Sequence, residues 1–566
     1  MNESEGQPTR LDDCQVCIPQ IFANHARTLG DKPALVCGTQ VRTWREFDAN
    51  MSRVANSLLA RGIGHGRTVA VLMNSGIDIV EVMFGVVRAG ACVVPLSGLL
   101  TSDQVKTLLL DSNATALFCA RSQQEKVDEC RSGLPNIRSD QFFSTDFEAP
   151  GWIHSASLMA TASDAFPRVN YRQDDAFSII YSSGTTGLPK GIVQTHRARL
   201  HWAFSNAIDL GFHVTAKGLT STALYSNGTW LTMLPTLFVG ATLYVMPEFK
   251  PSLFLDMIQK NAITPTFTVP TQLILSLGEL ADARYDLSSL QSVLCAGSTL
   301  RNEVRREVLE KITPNLYYMY GFSEGFATMC KPWQHATKGE SVGLPVLGFE
   351  VMIVDDEGTE LPWGETGEIA GYGAGLMQTY HNREDLTAAL IVADRRGRTF
   401  FRSGDIGRID DDGFLYVVDR KKGHDHFRWL QYLSGGHRSH HRRASGCSRC
   451  QCDCHCGSQM GRNAVGLGHC AQCEGRRRSH QGMGQCPTRP APAHQPGRIG
   501  PGPSAQRPGQ STQSCPARPI QPWRFGQRRA SGIFSRLTRL EQGIPFDFEG
   551  VPDLGRVLSS SCRVAL

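Results

Sequence analysis

At 566 residues the chain is too long for one hydrophobic core, and its length predicts two or three domains. Its formal charge of +5 averages two unlike parts: residues 1–423 hold 38 Lys+Arg against 46 Asp+Glu, whereas 424–566 hold 20 Arg, no Lys and 7 acids. No uninterrupted apolar run reaches membrane-spanning length, because the stretch 82–100 is broken by Arg88 and Pro95.

Residues 1–13 are polar throughout, which predicts no secretory leader, and residues 1–20 read as an N-terminal extension. Eight of the 18 cysteines are scattered through the first 423 residues, a pattern of reduced thiols rather than of a disulfide framework. Both features point to a cytoplasmic protein.

From about residue 30 to 300, short β-branched runs alternate with helical periodicity, which predicts an α/β fold of parallel sheets covered by helices. Helices are expected over 43–61 and 77–89, and buried strands over 69–73, 92–95, 116–119, 177–181, 242–246 and 292–296. From Phe349 the pattern shortens to strand-and-turn units, with turns at 355–358 and 410–413. The expected domains are therefore a large α/β unit over 21–345 and a β subdomain with a hinge over 346–423.

Tyr181 opens the run YSSGTTGLPKG, which follows an apolar strand. Gly184 and Gly187 let backbone amides approach polyphosphate oxygens, Ser182, Ser183, Thr185 and Thr186 add hydroxyl donors, and Lys190 adds positive charge. The spacing is not that of a Walker loop. The run resembles the signature of the adenylate-forming (AMP-binding) superfamily, which includes acyl- and aryl-CoA ligases, luciferases and peptide-synthetase adenylation domains. Further motifs follow in the same order: YGFSE at 320–324, GEI at 367–369, SGD at 403–405 and DRKK at 419–422.

The resemblance implies an AMP-forming acid:CoA ligase that uses ATP, CoA, Mg²⁺ and a small carboxylic acid, with no nucleic-acid partner. It implies catalytic roles for Thr185, Lys190, Ser323 and Glu324, with Glu324 as the Mg²⁺-linked carboxylate, a hard oxygen ligand suited to that ion. Ser323 stands where the family usually has Thr and keeps the hydroxyl. Asp405 matches the ribose ligand, where one carboxylate accepts from both hydroxyls. Arg420 matches a second nucleotide contact, and Tyr320, Gly321, Gly297 and Ser298 match segments that border the nucleotide. Tyr225, Gly297 and Phe322 match the region of the acyl pocket, although Ser226 replaces a His frequent in relatives. His196 reads as a structural residue. Fatty, aryl and short branched acids use the same motifs, so the acid and the oligomeric state stay open. A nucleotide-binding pseudoenzyme and a carrier-protein-loading enzyme are the alternatives.

In the family, DRKK ends at a hinge, here Lys422, and leads into a mobile domain that supplies a late catalytic lysine. No lysine follows Lys422 in this chain, and the expected DMIISGG-like run is missing. Back-translation recovers it. Residues 423–428 can be encoded GGA-CAT-GAT-CAT-TTC-CGG, and dropping the first G yields Asp-Met-Ile-Ile-Ser-Gly. In the same frame, 429–439 permit Gly-Phe-Asn-Ile-Tyr-Pro-Ala-Asp-Ile-Glu-Ala, 444–464 permit His-Pro-Asp-Val and Pro-Lys-Trp-Gly-Glu-Thr-Pro, and 525–528 permit Leu-Gly-Lys.

One match is cheap under codon degeneracy, but several in order and in one frame are not. The sequence thus implies one extra base in the G run of the Lys422 and Gly423 codons. On this reading 424–566 is an aberrant Arg-, Pro-, Gly- and Cys-rich tail, expected to be non-native or disordered. The rival reading is a zinc cluster of Cys447, Cys450, Cys452, Cys454, Cys456, His455, His469, Cys470 and Cys473 on a basic arm. It is disfavoured because alternating CxCxC makes adjacent ligands compete for one ion.

Overall fold

The computed structural model describes residues 16–182 and 189–420. The expectations for Ser183, Gly184, Thr185, Thr186 and Gly187, for Lys422 and for the tail therefore lie outside the described residues.

The first expected helix forms as Trp44–Leu59, and its start is written in the sequence. Thr43 accepts from the Glu46 backbone N–H while the Glu46 carboxylate accepts from the Thr43 N–H, closing a capping box. Phe47, Met51, Val54, Ala55 and Leu58 then fall on one face and are fully buried. That face meets the helix Ile77–Arg88, where Gly85 permits the approach: a Cβ there would lie 2.6 Å from Val54 Cβ. Phe22, Trp44, Phe47 and Phe84 pack in edge-on and tilted pairs beside this contact, with centroids 5.1–6.4 Å apart.

Two large sheets carry the α/β part. The first has nine strands in the order 344–345, 326–330, 316–322, 292–295, 265–268, 217–220, 242–245, 33–37 and 40–43. The second has eight, ordered 379–380, 190–195, 176–182, 92–95, 68–72, 114–119, 142–144 and 153–154. Their central strands are parallel and buried on both faces, as near-continuous apolar runs require. All six strands expected from sequence are present, shifted by at most two residues at either end.

Each sheet ends its parallel run in an antiparallel hairpin. Ala176–Ser182 pairs with Lys190–Thr195, and Leu316–Phe322 pairs with Phe326–Cys330. Both hairpins carry motifs singled out in the sequence.

The β-rich segment folds as an antiparallel five-stranded sheet of 349–354, 367–373, 399–409, 391–393 and 415–420. Both expected turns form: Gly358 N–H donates to Asp355 O at 3.2 Å, and Gly413 N–H to Asp410 O at 2.9 Å. The segment is not wholly separate, because Thr379–Tyr380 leaves it to pair with Lys190–Thr195 in the eight-stranded sheet. Seven described cysteines are free. Among the described residues no helix is long and apolar enough to cross a membrane.

Candidate active site

The site is built from hairpin ends. Between Phe322 and Phe326 the chain reverses in three residues, and Gly325 makes the turn at φ +114°. A Cβ there would sit 2.0 Å from Gly375 O, so the position admits only glycine. The turn presents Ser323 and Glu324 beside the returning segment 375–380, where Met377 N–H donates to Glu324 O at 2.6 Å.

Asp405 lies on the long strand Thr399–Ile409, directly opposite Arg420 on Leu415–Arg420. Tyr320 Oη donates to Asp405 Oδ2 at 2.7 Å, and Arg420 Nε stands 4.0 Å from Asp405 Oδ1. Residues 85 apart in sequence thus meet. Burial raises the Asp405 pKa above its usual 3.8, with the Tyr320 hydrogen bond and Arg420 opposing the shift. Burial likewise raises the Tyr320 phenol well above its usual range, with Asp405 adding to the shift.

The GEI and SGD motifs explain how Asp405 is held. Glu368 Oε1 accepts from the Gly404 N–H at 3.1 Å while its Oε2 accepts from Arg402 Nη2 at 2.6 Å. Ser403 Oγ donates to Ile369 O at 2.8 Å and accepts from Asp405 N–H at 3.1 Å. The two motifs form one clamp across paired strands, with Gly404 at φ +77° at its apex.

Gly297, Ser298, Tyr320, Gly321, Asp405 and Arg420 all line one cleft of about 830 Å³. A second, apolar cavity of about 60 Å³ adjoins it, since Gly297, Met319 and Gly321 border both. Phe322 and Ser323 line this second cavity, as do Trp202, Trp230 and Phe267. Tyr225 does not. It is half-buried two residues short of Asn227 and Gly228, which form that wall instead.

A third group gathers around Tyr380, which sequence reasoning missed. Its ring is fully buried, its hydroxyl donates to Glu324 Oε1, and Lys190 Nζ sits 5.0 Å from the ring centroid. Burial, reinforced by Glu324, raises the Tyr380 pKa, so the phenol remains a donor. Gln194 Nε2 also donates to the Ser323 backbone O at 3.2 Å. Among the described residues the buried Ser182 hydroxyl has no hydrogen-bond partner.

His196 is buried, packs edge-on against Phe177 at 5.0 Å, and has its pKa pushed down to about 4 by burial. It is a neutral core residue.

Comparison with known proteins agrees with this geometry. The family model described as AMP-binding enzyme matches residues 22–381. An indoleacetate–CoA ligase of Aromatoleum aromaticum is 31% identical over 403 residues, covering 70% of this chain and 77% of that one. The 4-coumarate–CoA ligase CCL1 of Humulus lupulus is 30% identical, with coverages of 69% and 73%. In structure, the N-terminal domain of FACL13 from Mycobacterium tuberculosis superposes with a TM-score of 0.66 at 24% identity, over 72% of this chain and all of that one. With the motif order, the hairpin-borne site and these matches together, the chain belongs to the AMP-binding enzyme family, as an adenylate-forming enzyme of the acid:CoA ligase type.

Proposed function

We propose that the described body activates a small carboxylic acid by adenylation, in the cytoplasm, and that the chain as written is impaired in passing the acyl group to CoA. The observation that carries the first half is the convergence of Gly297, Ser298, Tyr320, Gly321, Asp405 and Arg420 on one cleft that shares wall residues with an apolar cavity.

In the adenylation step a carboxylate oxygen bonds to the α-phosphorus of ATP while the bond from that phosphorus to the bridging oxygen breaks, and pyrophosphate leaves. Bringing an anion to a polyanion demands neutralisation. Lys190 and the hydroxyl-rich run from Ser182 supply donors there, with Thr185 in the role the resemblance assigns it. Ser323 lines the apolar cavity and offers its hydroxyl to the α-phosphate. Asp405 accepts from the ribose hydroxyls, and Arg420 keeps that carboxylate ionised.

Mg²⁺ fits Glu324 on the chemistry of the donor set. Glu324 is a single hard carboxylate, and it would hold such an ion, which binds through one or two carboxylates plus substrate phosphates. Such an ion would offset phosphate charge; Tyr380 orients the Glu324 carboxylate for it.

Acid-dependent release of pyrophosphate from ATP tests the reading. Release with at least one acid supports it, while ATP binding without any release leaves a nucleotide-binding pseudoenzyme.

Asp405 provides a sharper test. Asp405→Ala leaves two ribose hydroxyls without their acceptor and is expected to weaken ATP binding by about 1–3 kcal/mol in isothermal titration. The pH dependence has a definite sign. Because burial raises the folded pKa, Asp405 favours the fold most at low pH, and that contribution fades as pH rises through the raised value. Ribose acceptance needs the ionised form, so ATP affinity should fall on acidification at a pH above the ordinary aspartate range. Asp405→Asn should flatten that fall. Equal affinity in wild type and Asp405→Ala would remove Asp405 from the site.

A further inference from the structure

Arg199 is the residue of the apolar cavity that the adenylation chemistry does not use. It sits in the first turn of the helix His196–Asp209, is 3% exposed, and borders the cavity with Trp202, Asn227 and Trp230. Its Nε and Nη2 donate to Ser178 Oγ at 3.1 and 3.0 Å, and its Nη1 donates to Asn227 Oδ1 at 2.9 Å. Its guanidinium carbon lies 4.6 Å from the Trp230 ring centroid.

These partners orient the guanidinium without neutralising it. Among the described residues no carboxylate pairs with Arg199. The titratable group nearest in influence is the Cys92 thiol, which burial pushes up to about 12 and so keeps neutral. Burial pushes Arg199 itself down to about 9, which still leaves it charged at neutral pH. Arg88, the most deeply buried arginine, is handled differently: Asp48 meets it at 2.6 Å. An unpaired buried cation is costly, and a guanidinium has five N–H donors, of which three are committed here. The same side chain borders the apolar cavity beside Trp202 and Trp230, where an ionic hydrogen bond is strong.

We propose that Arg199 binds a second carboxylate at the far end of the acid substrate, so that the enzyme prefers short dicarboxylic acids over monocarboxylic acids of equal length. This deepens the adenylation reading and rests on the same cavity being the acid site. The cavity's small volume and its Trp202, Trp230 and Phe267 walls set the length limit. A neutral tail would leave the guanidinium charge buried and unmatched, whereas a carboxylate satisfies both.

The test is equilibrium binding by calorimetry, in the presence of a non-hydrolysable ATP analogue, of succinate, glutarate and adipate against butyrate, valerate and hexanoate. In the wild type the best diacid is expected to bind at least about tenfold tighter than its matched monoacid. Arg199→Met should erase that preference, with ATP-analogue affinity within about twofold of wild type as the check on folding, and Arg199→Lys should restore part of it. Equal binding of diacids and monoacids by the wild type, or a preference retained in Arg199→Met, overturns the assignment. The wild-type comparison decides even if the methionine variant fails to fold. Pyrophosphate release with the same six acids reports separately on adenylation. Diacid binding without release removes the adenylation reading and leaves the Arg199 assignment standing, and release with monoacids alone overturns the assignment.

Discussion

Removing one base from the Gly423 codon is expected to turn a chain with little or no acyl-CoA formation into an active ligase, an increase of at least about a hundredfold in thioester turnover. The family resemblance implies a domain beyond the hinge that swings between adenylation and thioester formation and supplies a late catalytic lysine. The printed sequence has no lysine after Lys422, and the expected post-hinge residues appear only in the neighbouring frame, together with a Leu-Gly-Lys near the end. ATP binding is the control, because Asp405, Tyr320 and Arg420, which line the cleft, are all on strands that precede the break. The two gene products should therefore differ far more in acyl-CoA formation than in ATP affinity. Equal and robust thioester turnover by both, or a compact zinc-loaded tail in the printed chain, would show that the frame argument is wrong. Reading the nucleotide sequence across Lys422 and Gly423 checks the extra base directly.

The parts of the fold that were legible are those whose signal is local. Runs such as Val69-Ala70-Val71 and Cys92-Val93-Val94 leave a strand little alternative, since β-branched residues without helical spacing pack on both faces of a parallel sheet. Thr43 with Glu46 three residues on is a helix start that needs no tertiary context. Motif order pointed to Asp405 and Tyr320 as members of one site, although it could not say that one would donate a hydrogen bond to the other.

What stayed hidden depends on register. Glu368 and Gly404 belong to motifs that read as separate, and their contact exists because strands 367–373 and 399–409 pair with a shift between Glu368 and Ala370. Tyr380 sits in the polar run Gln378-Thr379-Tyr380-His381-Asn382, which has neither helical nor strand periodicity. Only the return of Thr379–Tyr380 to the edge of the eight-stranded sheet brings it to Glu324. Arg199 likewise reads as one of two arginines opening an ordinary helix, and its lack of an acidic partner among the described residues is a property of burial that spacing does not carry. Tyr225 lies just off the cavity lining for the converse reason. A motif position marks a segment, and the helical turn Asn227–Thr229 decides which of its residues reaches the cavity.

Glu324→Gln is expected to reduce acid-dependent pyrophosphate release by about 10²–10³-fold, the scale for losing one preorganised electrostatic contact used in the transition state. Glu324 is 5% exposed, on the turn that Gly325 makes, and its carboxylate accepts from the Tyr380 hydroxyl. The glutamine keeps the volume and the acceptor for Tyr380 but removes the negative charge that a hard cation needs. ATP affinity in the absence of Mg²⁺ should change little, whereas the Mg²⁺ dependence of the rate should move to much higher concentration. Tyr380→Phe separates orientation from charge. It keeps the ring beside Lys190 and deletes only the hydroxyl that donates to Glu324 Oε1, so it should lower the rate by about tenfold or less while leaving the Mg²⁺ requirement in place. Titrating pyrophosphate release against Mg²⁺ for the three proteins checks the ordering. Wild-type rates and an unchanged Mg²⁺ midpoint in Glu324→Gln would take this carboxylate out of the reaction and leave its buried contact with Tyr380 as a purely structural clasp between the turn and the returning strand.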